Sequence, residues 1–281
     1  MRFLLHRRWC LVGLAVLVMS GLMAAALYAQ FRGRRGPRRP FNREEYPRWE
    51  NHPDFEHDVF TFARVEYEGR ASVVDGHWAN DYPDADLNFS FRLQQLTSLK
   101  VDPNGKVLRL NDPHLFDYPF LFMIGIRDLE FHEQEVEALR RYLLNGGFLM
   151  VDDFWAPEEW HHIRSEMRRV FPDREPRELP HSHPIFHLVY DLPELPQVPS
   201  INAWSRGWDF EYWHGDPGND KGPHFMGYFD DRQRLVALLC HNNDICDGWE
   251  REGENTEYFE RFSERWSYPL GINILTYAMT H

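Results

Sequence analysis

The chain has 281 residues, with 31 Lys and Arg against 44 Asp and Glu and a formal net charge of −13. Residues 1–43 hold nine of the basic residues and no acid, so the remainder sets 22 basic against 44 acidic residues. A body this acidic repels a phosphate backbone, which excludes nucleic acid as a partner.

Residues 11–29, LVGLAVLVMSGLMAAALYA, carry no charge and follow Arg2, Arg7 and Arg8. This is the layout of a secretory signal peptide, with cleavage expected after Ala26 or Ala29. An uncleaved inner-membrane anchor is the alternative, because the run is near the lower limit for spanning a bilayer. Residues 1–29 are therefore expected to be a signal peptide or anchor, and residues 30–56 an Arg-rich flexible linker. Residues 57–281 are expected to form a single domain of the periplasm or another extracytoplasmic space. RGRRGPRRP in the linker cannot bury a core; membrane contact through residues 1–43 is the other expectation for the arginines. Only Cys240 and Cys246 lie outside the leader, either bridged or as two structural thiols.

VFTFARVEY alternates and predicts a strand over 59–65. A loop follows, then DLNFSFRLQQLTSL predicts a helix capped by Asp84 or Asp86. KVLRL is a short strand, Asp112-Pro113 a turn, and PFLFMIGI a buried strand. The spacing of Val136, Leu139 and Leu143 predicts a helix over 132–145, stopped by Gly146-Gly147. FLMV is the next buried strand, and Pro157 opens a helix over 157–170. Residues 224–241 predict a hairpin turning near Asp230-Asp231, followed by terminal helices. Strand and helix alternate through the middle. That predicts an α/β, flavodoxin-like domain: a mostly parallel sheet with helices on both faces, and a small C-terminal hairpin and helices.

In such sheets ligands bind where parallel strands end at their carboxyl side. Asp152 and Asp153 mark that edge, with one expected to face the cleft and the other to cap the next helix or pair with an arginine. His183 and His187 have a two-histidine metal spacing, but Pro184 disfavours the helix it requires, and a turn is the leading expectation. HNNDICDGWE offers His241, Asp244 and Asp247 as oxygen and nitrogen donors, or an Asx-rich turn. The first loop and helix hold Trp78, Asp81 and Arg92, where Arg92 either clamps a ligand carboxylate or pairs with Asp152 or Asp153. Residues 196–223 lack a period and carry Trp204 and Trp208, which either line a binding surface or plug the domain edge.

RLQQLT at 92–97, LNDPHLFDYPF at 110–120, LRRYLLNGGFLMVDDFW at 139–155, RVFPD at 169–173, HPIFHLVYDL at 183–192, HNNDICDGWE at 241–250 and YPLGINILTYAMTH at 268–281 occur in order. On these segments the chain resembles the bacterial domain-of-unknown-function family DUF4159, over roughly residues 57–281. The resemblance implies a fold similar to the class I glutamine amidotransferase-like group. No Gly-x-Cys-x-Gly occurs, so amidotransferase chemistry is not expected to follow.

Two functional readings follow. The first is a non-catalytic module of the cell envelope, binding a small ligand, a glycan or a partner protein. The second is a metal-dependent hydrolase. Its catalytic candidates are Asp152, Asp153, His183 and His241; its metal candidates, for a divalent cofactor, are Asp153, His187, Asp244 and Asp247. The first leads because no nucleophile or complete ligand set is visible.

Overall fold

The computed structural model describes residues 42–55, 58–69, 77–250 and 252–281. The leader at 1–29 and the arginine cluster at 32–39 lie outside the described residues. No helix among the described residues is long and apolar enough to cross a membrane. Glu44–His281 form one compact unit. Trp49 Nε1 and Asn51 Nδ2 both donate to the Val101 carbonyl, at 2.7 and 2.9 Å. The second half of the expected linker is thus fastened to the domain.

Seven strands form one sheet: β1 (Ala63–Val65), β2 (Lys106–Leu108), β3 (Phe120–Ile124), β4 (Phe148–Phe154), β5 (Arg177–Glu178), β6 (His224–Phe229) and β7 (Leu235–His241). The order is β2-β1-β3-β4-β7-β6-β5. β2, β1, β3, β4 and β7 run parallel, while β6 and β5 add an antiparallel edge. The parallel part has the doubly wound order of flavodoxin-like sheets, with β7 as its fifth strand.

Alternation divides the strand residues between two cores. Phe62, Phe120, Phe122, Phe148, Met150 and Leu238 pack on one face with α1 (Asp84–Leu96) and the terminal helix. Ala63, Leu121, Met123, Leu149, Val151 and Leu239 pack on the other with α2 (Glu133–Leu144) and α3 (Ala156–Val170). Both strand faces are buried, which is why β3 and β4 read as unbroken apolar runs.

Helix ends follow local chemistry, not always as expected. The Glu135 carboxylate accepts the His132 N–H at 2.9 Å and opens α2. Gly147 closes it, because a Cβ there would sit 2.3 Å from the Tyr142 ring. Neither Asp84 nor Asp86 caps α1: Pro83 holds the cap position, and Asp86 lies inside the helix facing Arg64. The predicted first strand is shorter than its alternation suggests, with Phe60 making only an isolated bridge to Val101. The terminal helical run, Thr256–Thr280, has a π-helical middle at Phe259–Ser267 before the last helix, Tyr268–Thr280.

Arg64 is completely buried on β1. Its Nε lies 3.0 Å from both Asp86 carboxylate oxygens, and its Nη1 donates to the carbonyls of Trp78 and Asn80 at 2.9 and 3.1 Å. Arg64→Met strands the Asp86 charge in the core and should cost about 3–5 kcal/mol of unfolding free energy in urea titrations. Adding Asp86→Leu should recover most of the loss; equal instability of the double variant would show that the ion pair is not the cause.

Candidate functional site

The carboxyl ends of β1, β3, β4 and β7 converge on one edge of the sheet, and the chain there departs from regular backbone. Five non-glycine residues among those described have left-handed φ: Asp81 (57°), Asp153 (52°), Ala156 (62°), Gln233 (63°) and Asn242 (56°). Gln233 belongs to the β6–β7 turn, and the other four lie at this edge. Such conformations cost about 1–3 kcal/mol each and persist where the surroundings enforce them.

Strand alternation is interrupted at Asp152 and Asp153. The β4–β7 register shifts between Val151 and Phe154, and Asp153 turns into the left-handed region. After burial, Asp244 and Asp81, the charges of Asp152 and Asp153 help to push up the Cys246 thiol. Neither caps α3 nor pairs with an arginine. Trp155 holds the cap position, and its N–H donates to Glu159 Oε2 at 2.9 Å. Asp152 Oδ2 accepts the Cys246 N–H at 2.9 Å, whereas Asp152 Oδ1 is sealed from solvent and meets no hydrogen-bond donor.

Two loops complete the edge. After β7, Asp244, Cys246 and Asp247 are all buried. Cys246 Sγ lies 3.3 Å from Asp244 Oδ1 and 3.3 Å from Asp81 Oδ2. Asp247 Oδ2 accepts from the Ile201 N–H at 2.7 Å and the Tyr258 hydroxyl at 3.1 Å. The long loop over 196–223 supplies Glu211, which accepts the Ser200 N–H at 2.7 Å, and His214, whose Nδ1 lies 2.9 Å from Glu159 Oε1. Arg127 reaches the same Glu159 oxygen at 3.3 Å.

Charge dominates this edge. Glu159 has Arg127 and His214, but no ion pair engages Asp152, Asp153, Glu211 or Asp244 among the described residues. Burial first, then the other carboxylates, raises all four above the ordinary carboxylate range. Asp153 is pushed up to about 7 and Glu211 to about 8, by burial above all. The same causes push up the Cys246 thiol. Two groups have donor atoms within 4.8 Å of one another and suit a cation: Asp81, Asp244 and Cys246, and Asp81, Asp247 and Glu250.

The other sequence candidates are dispersed. His183 Nδ1 accepts the Ile185 N–H in a single 3-10 turn, and His187 pairs with Asp191, so the two-histidine spacing makes no joint site. His241 ends β7, and its Nε2 donates to the Ala156 carbonyl at 3.0 Å. Burial pushes its pKa down to about 4. Arg92 pairs with Glu252, not with Asp152 or Asp153. Trp204 packs against the core edge-on to Tyr258, and Trp208 meets Tyr212 edge-on and Trp213 at a tilt. Trp78 contributes its carbonyl to Arg64. Cys240 and Cys246 are separate buried thiols. Sequence reasoning missed Arg64, Glu159, Glu211, His214 and the role of Cys246. Only Arg64, a charge amid a buried apolar strand, carried a readable sign.

The model of the family described as "Domain of unknown function (DUF4159)" matches residues 61–279. The chain belongs to this family. No curated protein matches it.

The titrations act in opposite directions. Glu211 binds its proton more tightly when folded, so its contribution to stability falls as pH rises from 4.5 to about 8. Glu211→Gln should therefore stabilise the metal-free fold at pH 9 by about 1–3 kcal/mol and change little at pH 4.5. His241 binds its proton less tightly when folded, so stability is lost as pH falls from 6.5 to about 4. Relative to His241→Gln, the wild-type chain should lose up to about 1.4 kcal/mol per pH unit across that window. Parallel pH dependences for variant and wild type would contradict either assignment.

Proposed function

We propose that this domain is a non-catalytic ligand-binding module of the cell envelope whose ligand is a cation, held at the carboxylate-lined end of the parallel sheet. The observation that carries the reading is the set of buried acids, Asp152, Asp153, Glu211 and Asp244, with no side-chain ion pair, together with the unpartnered Asp152 Oδ1. An uncompensated buried charge is strongly unfavourable, and buried charges are ordinarily paired or coordinate metals. The centre is also nearly closed: Asp152 and Cys246 are fully buried and Asp244 is 4% exposed. That enclosure favours an ion over a glycan. Two open surface concavities lie elsewhere, one lined by Asn51, Thr61 and Asp102 and the other by Phe116, Tyr142 and Gly147.

The apolar segment 11–29 and the arginines after it support the extracytoplasmic placement. The strand order supports kinship in fold with the class I glutamine amidotransferase-like group. Amidotransferase chemistry does not come with it, since no Gly-x-Cys-x-Gly surrounds either buried thiol. A hydrolytic reading has one observation in its favour: Asp153 combines a strained backbone at a strand exit with a carboxyl pushed up to about 7, near the ideal for an acid–base group.

Thermal unfolding of the purified chain, stripped by a chelator and then titrated with magnesium, calcium, manganese and zinc, tests the binding reading. At least one ion should raise the midpoint by several degrees, in the manner of a ligand that binds only the folded state. A midpoint unmoved by all four ions would overturn it. Turnover of a model ester or phosphoester, abolished in Asp153→Asn, would move the reading to the hydrolase.

A further inference from the structure

We propose that Asp81, Asp244 and Cys246 are the protein ligands of one divalent cation of borderline softness, zinc by preference, at the acidic centre. The inference rests on the cation-binding reading and specifies its ligands and the class of metal.

The donor set argues first. A thiol carries a single proton, so Cys246 can satisfy only one of the two carboxylate oxygens that approach its sulfur at 3.3 Å. With both carboxylates ionised, the second contact sets a sulfur lone pair against an oxygen lone pair. A cation among the three atoms turns both contacts into edges of a coordination polyhedron. With zinc–sulfur and zinc–oxygen bonds of about 2.3 and 2.0 Å, a tetrahedral sulfur–oxygen edge is about 3.5 Å, close to the spacing present.

An independent observation points to the same place. Asp152 lies against Cys246, taking its N–H on Oδ2, and is fully buried. Its Oδ1 has no donor at all. A positive charge at the neighbouring thiolate would offset part of the cost of burying this carboxylate. Asp152 is not one of the three ligands; it stands behind Cys246 and adds negative potential.

Sulfur then selects the metal. Magnesium and calcium take all-oxygen shells, whereas a thiolate favours zinc and similar ions. The alternative group, Asp81 with Asp247 and Glu250, is all oxygen and would suit a hard cation. Asp247 Oδ2, however, accepts both the Ile201 amide and the Tyr258 hydroxyl, whereas Asp244 Oδ1 accepts one N–H, from Asp247 at 3.0 Å. Three protein ligands leave a tetrahedral ion one position for water or a ligand group.

Cobalt(II) titration of the chelator-stripped chain tests the assignment. One equivalent should produce a thiolate-to-cobalt charge-transfer band in the near ultraviolet, removed by competing zinc and retained in Cys240→Ala. Cys246→Ser should abolish the band and weaken zinc binding at least about tenfold. Asp244→Asn should weaken zinc binding comparably, and serves as the second variant if Cys246→Ser fails to fold. Absence of the band in the wild-type chain, with calcium or magnesium bound instead, would overturn the zinc assignment and leave the cation reading standing. A wild-type chain that binds no ion of any kind would overturn both.

Discussion

A fully buried guanidinium organises the carboxyl-end edge of the sheet in this domain. Arg64 projects from a parallel strand only three residues long, yet it binds three other residues. Asp86 on α1 balances its charge, and the carbonyls of Trp78 and Asn80 fill its remaining donors. Those carbonyls flank Asp81 closely in sequence. The left-handed turn that delivers Asp81 to Cys246 is therefore braced from below by an ion pair in low dielectric. A lysine could not do this, because the planar fork engages a carboxylate and two carbonyls at once.

The second device is the interruption of β4. Regular pleating would send Asp152 and Asp153 to opposite faces of the sheet. The register shift and the left-handed Asp153 interrupt that alternation, and Asp152 Oδ2 takes the Cys246 N–H. Asn242 and Asn243 fasten the surroundings. Asn242 Oδ1 takes the Ala156 N–H at 3.1 Å, and Asn243 spans from the Val198 N–H to the Pro196 carbonyl. The Asx-rich character of HNNDICDGWE thus has two uses. Its asparagines bind backbone, and its aspartates face the acidic centre.

Much of this architecture was legible in the sequence because it is local. The apolar run of β3, the 3.6-residue period of α2 and the Gly-Gly stop each declare themselves within a few residues. The candidate edge was legible to the same extent: Asp152 and Asp153 follow a buried strand, and strand exits of parallel sheets hold ligands. What escaped was set by long-range contacts. Cys246 meets Asp152 across 94 positions and Asp81 across 165. Glu211 and His214 sit in a stretch with no period at all. The opposite error came from spacing taken in isolation: His183 and His187 are four apart, but Pro184 makes a tight turn that sends them to different partners.

The loop over 196–223 brings Glu211 toward Asp153 and Asp244, although like charges in a buried setting repel. Other contacts must hold it there. Phe210 packs edge-on against Trp155 at 5.0 Å between ring centres, and the asparagine latches tie the loop's start to β7. The apolar contacts and hydrogen bonds thus offset an electrostatic penalty that they did nothing to create. That penalty and the affinity for a cation are one quantity seen from two sides. On the cation-binding proposal, each carboxylate that destabilises the empty fold at neutral pH would stabilise an occupied one, and a more comfortable empty state would bind an ion less tightly.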